Sequence, residues 1–218
     1  MAQKKTYHVV TLGCRTNQYE SQAYTNQLQT AGYEKSNAGE ADVCIINTCT
    51  VTENADKKSF YAIRKSVRDF KPKKLIVTGC LAKKDQKTIR AIPGVSDVVF
   101  NENKQTLLPD LFDEEQWPEF KINQFEAHTR AFVKVQDGCN SYCSYCVIPF
   151  VRGRSTSKTL PQVLDEVHAL VENGYREVVL TGINIGDFCD GDKRLAELVR
   201  EVDQVEGLRR VRISSIDP

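Results

Sequence analysis

Residues 137–154 read DGCNSYCSYCVIPFVRGR and place three cysteines in one short loop with the spacing C-x3-C-x2-C. The three are Cys139, Cys143 and Cys146. Cysteine thiolates are the usual ligands of iron-sulfur clusters, and three of them on a four-iron cluster leave one iron open to a ligand other than protein. Structural zinc normally takes four protein ligands, so zinc would need His128 or Cys189 to complete the set. The spacing therefore indicates a metal centre and favours a cluster over zinc.

The sequence on either side of this loop alternates predicted strands and helices. An alternating strand, 131–136, leads directly into the loop. A helix follows over residues 160–172, with Thr159 as its N-terminal cap and Pro161 in its first turn. The remaining predicted elements are strand 178–182, helix 195–202 and strand 208–214. The pattern predicts a βαβαβ series in which the cysteine loop follows the first strand.

The N-terminal half shows the same alternation. Short apolar runs predict buried strands, and the longer segments between them predict helices. The predicted strands are 8–12, 43–46, 75–78 and 97–100. The predicted helices are 17–31, 53–70, 85–91 and 104–111. Strands that alternate with helices imply a parallel sheet, so we predict an α/β fold for this half as well.

Three further cysteines, Cys14, Cys49 and Cys80, lie just after predicted strands, where the chain turns toward a helix. The carboxyl ends of parallel strands meet at one edge of a sheet, and ligands bind in the crevice outside that edge. A single buried cysteine is most often a small apolar core residue, which is our interpretation of Cys44 inside its strand. Three cysteines at equivalent strand ends favour a second metal centre.

The segment between the two series is rich in acidic and aromatic residues and has no clean period. It contains Trp117 and Pro118, and a segment of this kind is typical of a connector. We therefore predict an N-terminal domain over residues 1–111, a linker over 112–127 and a second domain over 128–218.

Four cysteine motifs together resemble the methylthiotransferase branch of the radical S-adenosylmethionine (SAM) superfamily. The loop resembles the superfamily signature, including an aromatic residue, Tyr145, before its last cysteine. The other three motifs read GCRTNQYES, NTCTVTENA and TGCLAK, and each contains one of the strand-end cysteines. The resemblance runs from about Tyr7 to the last residue. It implies a Rossmann-like parallel α/β domain followed by the first part of a radical SAM (β/α) barrel.

In this family each set of three cysteines holds a 4Fe-4S cluster, so the resemblance implies two clusters. The loop cluster binds SAM, which is cleaved to a deoxyadenosyl radical, and the N-terminal cluster carries the sulfur that is inserted. The resemblance implies that Tyr145 packs beside the adenine of SAM; the alternative is that Tyr145 packs in the protein core. Thr181 and Gly182 correspond to a contact with the SAM amino group, although the usual acidic residue is absent there. Residues predicted to support the second cluster, or alternatively to serve only turns and caps, are Asn17, Asn47 and Thr48.

The resemblance implies an enzyme that inserts a methylthio group at carbon 2 of an adenine next to the tRNA anticodon. The motifs CRTNQYES, FVKVQDGCN and RISSIDP are most similar to the branch that acts on N6-threonylcarbamoyladenosine. Branches that act on isopentenyladenosine tRNA or on an aspartate of a ribosomal protein are alternatives. The implied partners are the tRNA anticodon stem-loop and a reductant such as flavodoxin or ferredoxin. A non-catalytic metal-binding RNA adaptor is the alternative from a different class.

Basic residues are concentrated in two places, although the net charge is only +1, from 30 basic and 29 acidic residues. Residues 57–74 carry eight lysines and arginines against the single acid Asp69. Three more basic residues, Arg152, Arg154 and Lys158, follow the cysteine loop. Both groups could contact RNA phosphates. For residues 57–74, a solvated helix face is the alternative.

The remaining sequence features predict a cytoplasmic protein. No apolar run is long enough to span a membrane, and the N-terminus MAQKKTYHVV lacks the apolar core of a signal peptide. Cytosolic thiols are kept reduced, so the eight cysteines are better explained as metal ligands and buried thiols than as disulfides.

Three strands are too few to close a barrel. The second half would then expose apolar surface and an unpaired strand edge. We therefore expect the sequence to belong to a longer enzyme, and this polypeptide alone to be inactive.

Overall fold

The computed structural model describes residues 4–36, 39–113, 116–125, 128–214 and 216. The predicted linker and the motif RISSIDP lie partly outside these residues. The chain divides into two compact units, Met1–Phe120 and Lys121–Pro218. Each unit contains a parallel sheet, which confirms the predicted α/β fold. In the part of the chain described, no helix is both long and apolar enough to cross a bilayer.

The first unit is built on a parallel sheet of five strands. Its strands are β1 (Thr6–Thr11), β2 (Glu34–Lys35), β3 (Val43–Thr48), β4 (Lys74–Gly79) and β5 (Asp97–Val98). Its helices are α1 (Arg15–Thr30), α2 (Glu53–Phe70), α3 (Cys80–Lys84), α4 (Gln86–Arg90) and α5 (Leu107–Leu111). The strand order is β2-β1-β3-β4-β5. This is the flavodoxin-like order, and it differs from the order of dinucleotide-binding Rossmann sheets.

Apolar side chains of the central strands alternate between the two faces of this sheet. Ile45 and Ile76 are buried on one face in a cluster with Leu28 of α1. Ile46 lies on the other face in a cluster with Ile63 of α2. Because both faces are covered, β3 is buried along its whole length and β4 is buried after its first residue, Lys74, as is usual for parallel sheets.

Three predicted elements of this unit differ from the structure. The predicted helix 85–91 is preceded by α3, and Asp85 separates α3 from α4 because its φ of −138° and ψ of 51° are not helical. The predicted helix 104–111 begins only at Leu107, after a 3-10 turn over Asn101–Asn103. The predicted strand 97–100 pairs with β4 only over Asp97–Val98.

The second unit contains a parallel sheet of three strands. The strands of the unit are β6 (Ala131–Lys134), β7 (Gln136–Asp137), β8 (Thr156–Ser157), β9 (Glu177–Thr181), β10 (Cys189–Asp190), β11 (Lys193–Arg194) and β12 (Arg210–Ile213). Its helices are α6 (Ile148–Arg152), α7 (Leu160–Glu172) and α8 (Leu195–Asp203). The parallel sheet has the order β12-β9-β6.

The predicted strand 131–136 leaves the parallel sheet before its expected end. β6 pairs with β9 only as far as Lys134, which lies opposite Thr181. The chain then forms β7, which pairs in the antiparallel direction with β8. This small hairpin closes the cysteine loop at its base, so the loop is held at both ends.

The predicted linker contains residues that pack in each unit. Trp117 and Phe120 pack against the core of the first unit. Ile122 is buried, and its backbone N donates to Glu166 Oε1 at 2.9 Å. The boundary between the two units falls between Phe120 and Lys121.

Candidate functional site

The three strand-end cysteines leave neighbouring strands at one edge of the five-stranded sheet. The register pairs Thr48 of β3 with Gly79 of β4, so Cys49 and Cys80 follow directly on adjacent strands. Cys14 follows β1 and is the N-terminal cap residue of α1. β1 is the neighbour of β3 on the side away from β4. The gap between β1 and β3 is the switch point of this strand order, where α/β sheets bind ligands.

Two glycines allow the loops at this edge to come close. Gly13 has a φ of +96°, and a Cβ built there would lie 2.9 Å from the Sγ of Cys49. Gly79 has a φ of +91°, and its Cβ would lie 2.4 Å from the carbonyl oxygen of Thr48. Glycine adopts positive φ and close approach without steric cost. Each of these glycines directly precedes a cysteine, which explains the pair Gly-Cys in two of the motifs.

Asn17, Asn47 and Thr48 hold the strand ends together. Asn17 Nδ2 donates to the carbonyl oxygens of Leu12 and Thr48 at 2.7 and 3.0 Å. Asn47 Nδ2 donates to the carbonyl oxygen of Asn17 at 3.1 Å. Thr48 Oγ1 donates to the carbonyl oxygen of Thr78 at 2.6 Å. All of these partners are backbone groups, so these bonds stabilise the loops that carry the cysteines.

The three thiols have different surroundings. Cys14 is exposed, and its Sγ lies 3.8 Å from Asn17 Oδ1. Cys49 and Cys80 are buried, and Asn101 Nδ2 donates to Cys80 Sγ at 3.8 Å. Across the described ranges, no group of three or more His, Cys, Asp or Glu residues is arranged to hold a single metal ion. The structure therefore brings the three loops together without gathering their thiols around one ion.

The donor set at this edge fits an iron-sulfur cluster. Thiolate is the ligand that such clusters use. Each thiolate on a four-iron cluster binds a different iron, so the ligands of a cluster stand further apart than the ligands of a single metal ion. Thr78 Oγ1 is buried and has no hydrogen-bond partner among the described residues. Thr78 lies two residues before Cys80, and hydrogen bonds from nearby hydroxyls to cluster sulfurs tune and stabilise bound clusters.

A buried ion pair lies beneath this edge and was not predicted from the sequence. Lys104 Nζ lies 2.7 Å from Glu20 Oε1, and their side chains are 7% and 1% exposed. Glu20 Oε2 also accepts from Asn47 Nδ2 at 3.3 Å. The two charges are far apart in sequence, and only the fold brings them together. Breaking one partner of such a pair leaves a buried charge uncompensated.

Cys44 lies away from this edge, within β3. It is fully buried in the core between the sheet and α2. Burial raises the pKa of the Cys44 thiol to about 12. A thiol that stays protonated is a poor metal ligand, so Cys44 serves as a small core residue.

The cysteine loop of the second unit is shaped by backbone hydrogen bonds. The backbone N of Cys139 donates to the carbonyl oxygen of Gly153 at 3.2 Å, and the N of Cys146 donates to the carbonyl oxygen of Cys143 at 2.9 Å. Gly138 has a φ of +72°, and a Cβ there would lie 2.1 Å from the carbonyl oxygen of Arg154. A larger residue at position 138 would therefore push apart the two ends of the loop.

Asp137 anchors the start of this loop. Its Oδ1 accepts from Arg152 Nη1 at 2.8 Å, and its Oδ2 accepts from Lys134 Nζ at 3.2 Å. The Arg152 side chain is fully buried. The prediction that Arg152 contacts RNA phosphate is therefore wrong, because this guanidinium is enclosed and holds Asp137. Lys158 likewise pairs with Glu166, at 2.8 Å.

The loop itself is open to solvent. Cys143 is exposed, and Cys139 and Cys146 are half-buried. Tyr145 is 90% exposed, which excludes the alternative that it packs in a core. His128, considered above as a fourth zinc ligand, lies instead against the rings of Phe125 and Phe132.

Thr181 is the last residue of β9, and Gly182 follows it beside this loop. Thr181 lies opposite Lys134 in the sheet. A Cβ at Gly182 would lie 2.7 Å from Gln136 Oε1, so this glycine is packed against the start of the loop. Two residues later, the buried Asn184 Oδ1 has no hydrogen-bond partner in the part of the chain described. A buried acceptor without a partner fits a ligand with an ammonium group such as SAM.

Two families match this chain. Residues 6–101 match the family described as "Uncharacterized protein family UPF0004", and residues 133–218 match the radical SAM superfamily. The first match spans the sheet with the three strand-end cysteines, and the second spans the cysteine loop and β9.

Two curated relatives are similar over nearly the whole chain. A threonylcarbamoyladenosine tRNA methylthiotransferase of Chlamydia pneumoniae is 48% identical over 99% of this chain and 52% of its own length. A Bacillus subtilis protein of the same name is 40% identical over 95% of this chain and 50% of its own length. The chain therefore spans about half the length of the curated relatives it matches.

One solved structure has a similar fold. It is the radical SAM methyltransferase TsrM of Kitasatospora setae, solved with cobalamin and a 4Fe-4S cluster bound. The TM-score is 0.55 at 12% identity, over 91% of this chain and 52% of that chain. At this identity the likeness concerns the fold alone.

Proposed function

We propose that this chain, which matches the UPF0004 family over residues 6–101 and the radical SAM superfamily over residues 133–218, functions as part of a tRNA methylthiotransferase. The observation that carries this proposal is the combination of two cysteine sets in one chain. One set lies at the switch point of a parallel sheet, and the other lies in a closed loop after a strand of the second sheet. Such a chain can hold two reactive centres.

We assign each set one 4Fe-4S cluster. Cys139, Cys143 and Cys146 would hold one cluster, and Cys14, Cys49 and Cys80 would hold the other. With SAM bound, the loop cluster would supply an electron and a deoxyadenosyl radical, which is the chemistry that such cofactors contribute. The protein residues supply position. The β7–β8 hairpin and Asp137 fix the loop, and the bonds of Asn17 and Asn47 fix the strand ends.

The substrate we propose is N6-threonylcarbamoyladenosine next to the anticodon, methylthiolated at carbon 2. The relative that is 48% identical carries this substrate in its name. A base in a single-stranded loop can be reached without unpairing a duplex, which lowers the cost of presenting it to an enzyme. Reducing chemistry with thiolate ligands also suits the cytoplasm, where thiols stay reduced and where a flavodoxin or ferredoxin could deliver electrons.

Deleting the gene tests the substrate directly. Nucleosides of bulk tRNA from the deletion strain are measured by mass spectrometry, beside the same strain carrying the wild-type gene. We expect methylthio-threonylcarbamoyladenosine to disappear, unmodified threonylcarbamoyladenosine to accumulate, and methylthio-isopentenyladenosine to stay unchanged. Loss of the isopentenyladenosine product, or of a methylthio group on a ribosomal protein aspartate, would instead support one of the alternative substrates.

The outer face of α2 suits contact with RNA. Its inner face carries the buried residues Ser59, Ile63 and Ser66. Its outer face carries exposed basic side chains one helical turn apart, with Tyr61 between them at 63% exposure. These basic residues are Lys57, Lys58, Arg64, Lys65 and Arg68. Lysines and arginines neutralise phosphates and an exposed aromatic ring can stack on an unpaired base, so we propose that this face binds the tRNA.

Charge reversal on this face is expected to weaken RNA binding. The variant Lys57→Glu/Lys65→Glu should bind an anticodon stem-loop about ten-fold more weakly. The slope of the logarithm of its binding constant against the logarithm of the salt concentration should become shallower by about two, because each lysine would neutralise one phosphate in the wild type. A filter-binding titration at several salt concentrations measures both. The matched control, Lys193→Glu/Arg209→Glu, changes the net charge equally on the other unit and should have little effect. Equal weakening in the two variants would point to a general charge effect and contradict a specific surface on α2.

A further inference from the structure

The buried ion pair of Glu20 and Lys104 joins two segments that are far apart in sequence. Glu20 lies on α1, the helix that Cys14 caps, and Lys104 directly follows the 3-10 turn Asn101–Asn103. Lys104 Nζ lies 2.7 Å from Glu20 Oε1. Tyr24, one helical turn further along α1, donates its hydroxyl to the carbonyl oxygen of Lys104 at 3.1 Å. Both the side chain and the backbone of Lys104 are therefore bound to α1.

Glu20 connects the pair to the segments that carry Cys14 and Cys49. Its Oε2 accepts from Asn47 Nδ2 at 3.3 Å, and Asn47 is the last residue but one of β3, the strand that ends just before Cys49. The same amide nitrogen donates to the carbonyl oxygen of Asn17, in the first turn of α1, at 3.1 Å. The Glu20 carboxylate thus helps to fix the end of β3 against the start of α1.

Lys104 connects the pair to the third cysteine. Its backbone N donates to the carbonyl oxygen of Asn101, the first residue of the 3-10 turn, at 3.4 Å. Asn101 is buried, and its Nδ2 donates to Cys80 Sγ at 3.8 Å. The ammonium end of the pair therefore holds a turn that contacts Cys80, so the pair lies where the segments of all three strand-end cysteines are joined.

The stability of the fold does not by itself explain a buried pair of charges. Removing a carboxylate and an ammonium from water carries a large desolvation cost, and apolar residues of similar size in their place are often equally stable or more stable. What an apolar pair would lack is direction. A carboxylate with one oxygen on an ammonium presents its other oxygen at a defined place, and here that oxygen meets Asn47.

We propose that Glu20 and Lys104 are positioning residues that hold the three cysteine-bearing segments at the spacing that a cluster on these cysteines, the strand-end cluster, requires. The inference rests on the proposed function, since it takes Cys14, Cys49 and Cys80 as cluster ligands. The pair acts through its contacts with these segments and does not bind the cluster. Residues that orient metal ligands in this way typically change metal affinity ten- to hundred-fold when they are replaced.

The test uses a neutral double variant of the complete gene product. Glu20→Met/Lys104→Met removes both charges, keeps the net charge and fills the space with unbranched apolar side chains. Single replacements are avoided because each would leave one buried charge uncompensated. All proteins, including the parent, carry Cys139→Ala so that iron is measured on the strand-end cluster, and all are reconstituted anaerobically with iron and sulfide.

The double variant is expected to keep its fold and to hold its cluster less tightly. The thermal unfolding midpoint of the protein without metal should equal or exceed that of the parent, because the desolvation cost of the pair is removed. Release of iron to a chelator should be about ten-fold faster than in the parent. The paramagnetic resonance spectrum of the reduced cluster should change in shape, because it reports the geometry of the ligands.

A second buried pair provides the matched control. Lys158 Nζ lies 2.8 Å from Glu166 Oε2, in the unit that does not carry the strand-end cysteines. Lys158→Met/Glu166→Met makes the same two exchanges there and should leave both iron release and the resonance spectrum as in the parent. An equal acceleration of iron release in the two double variants would contradict a specific role for Glu20 and Lys104.

The inference and the proposed function can fail separately. If Glu20→Met/Lys104→Met released iron at the parent rate, the inference would be wrong and the proposed function would stand. A double variant that did not fold would also overturn the inference, because the pair would then serve stability rather than position. A Cys139→Ala parent that took up no iron would overturn the two-cluster assignment of the proposed function, and this inference with it.

Discussion

Replacing Cys139 by alanine is expected to abolish SAM cleavage and to remove about four of about eight irons per chain. The loop over residues 137–154 contains three cysteines and no fourth that could replace one of them. Losing one ligand of three should therefore empty the loop site. Iron and labile sulfide content and the release of deoxyadenosine measure the effect. The second cluster should remain, because its ligands lie in a different unit.

Cys189→Ala is the matched control for this prediction. Cys189 is an exposed cysteine of the same unit, in the hairpin of β10 and β11, and its Sγ lies 3.6 Å from the carbonyl oxygen of Gly191. We expect this variant to keep its iron and to cleave SAM at the wild-type rate. If it lost as much iron as Cys139→Ala, Cys189 would be a ligand, and the closed three-cysteine loop would not be the complete set.

Replacing Cys49 by alanine is expected to separate the two half-reactions. The variant should still release deoxyadenosine from SAM, because the loop site is intact, but should form no methylthio product, because the strand-end site would lose its cluster. The measurements are deoxyadenosine release, product nucleoside and iron content on the same sample. A Cys49→Ala protein that still formed methylthio product would contradict a sulfur-carrying role for the strand-end site.

Cys44→Ala is the control on the same strand. Cys44 points into the core between the sheet and α2, and burial raises the pKa of its thiol to about 12. Its replacement should cost about 1 kcal/mol in unfolding free energy, as for an ordinary small core change, and should leave both clusters in place. If Cys44→Ala lost iron while its fold stayed intact, Cys44 would be a cluster ligand. A place within β3, rather than after its end, would then not identify a cysteine as a core residue.

Local signals predicted some elements to the residue. α2 begins at Glu53 because Thr52 Oγ1 accepts from Ala55 N at 3.1 Å. α7 begins at Leu160 because Thr159 and Gln162 form a capping box. These caps involve residues three positions apart, so the sequence alone contains the whole interaction. The position of the three cysteine-bearing loops at one edge of the sheet was also predictable, because parallel strands end at one edge.

Features that depend on distant residues could not be predicted in this way. The sequence predicts an exposed Arg152 that contacts RNA phosphate, but its side chain is buried and pairs with Asp137. The sequence predicts Gln136 only as the last residue of a strand. In the structure its side chain accepts hydrogen bonds from the backbone of Ile183 and Asn184, which only the fold places beside it. The buried pair of Glu20 and Lys104 belongs to the same class. A polar residue at the end of a mostly apolar strand, just before the cysteine loop, is the signal that could have directed attention to Gln136.

The metal content of the anaerobically purified complete gene product tests the central claim most directly. Iron, zinc and acid-labile sulfide are measured on one sample, together with the paramagnetic resonance spectrum after reduction. Two clusters predict about eight irons and about eight sulfides per chain, and a resonance signal that changes when SAM is added. A protein with one zinc and no labile sulfide would contradict the claim and would support the metal-binding RNA adaptor instead.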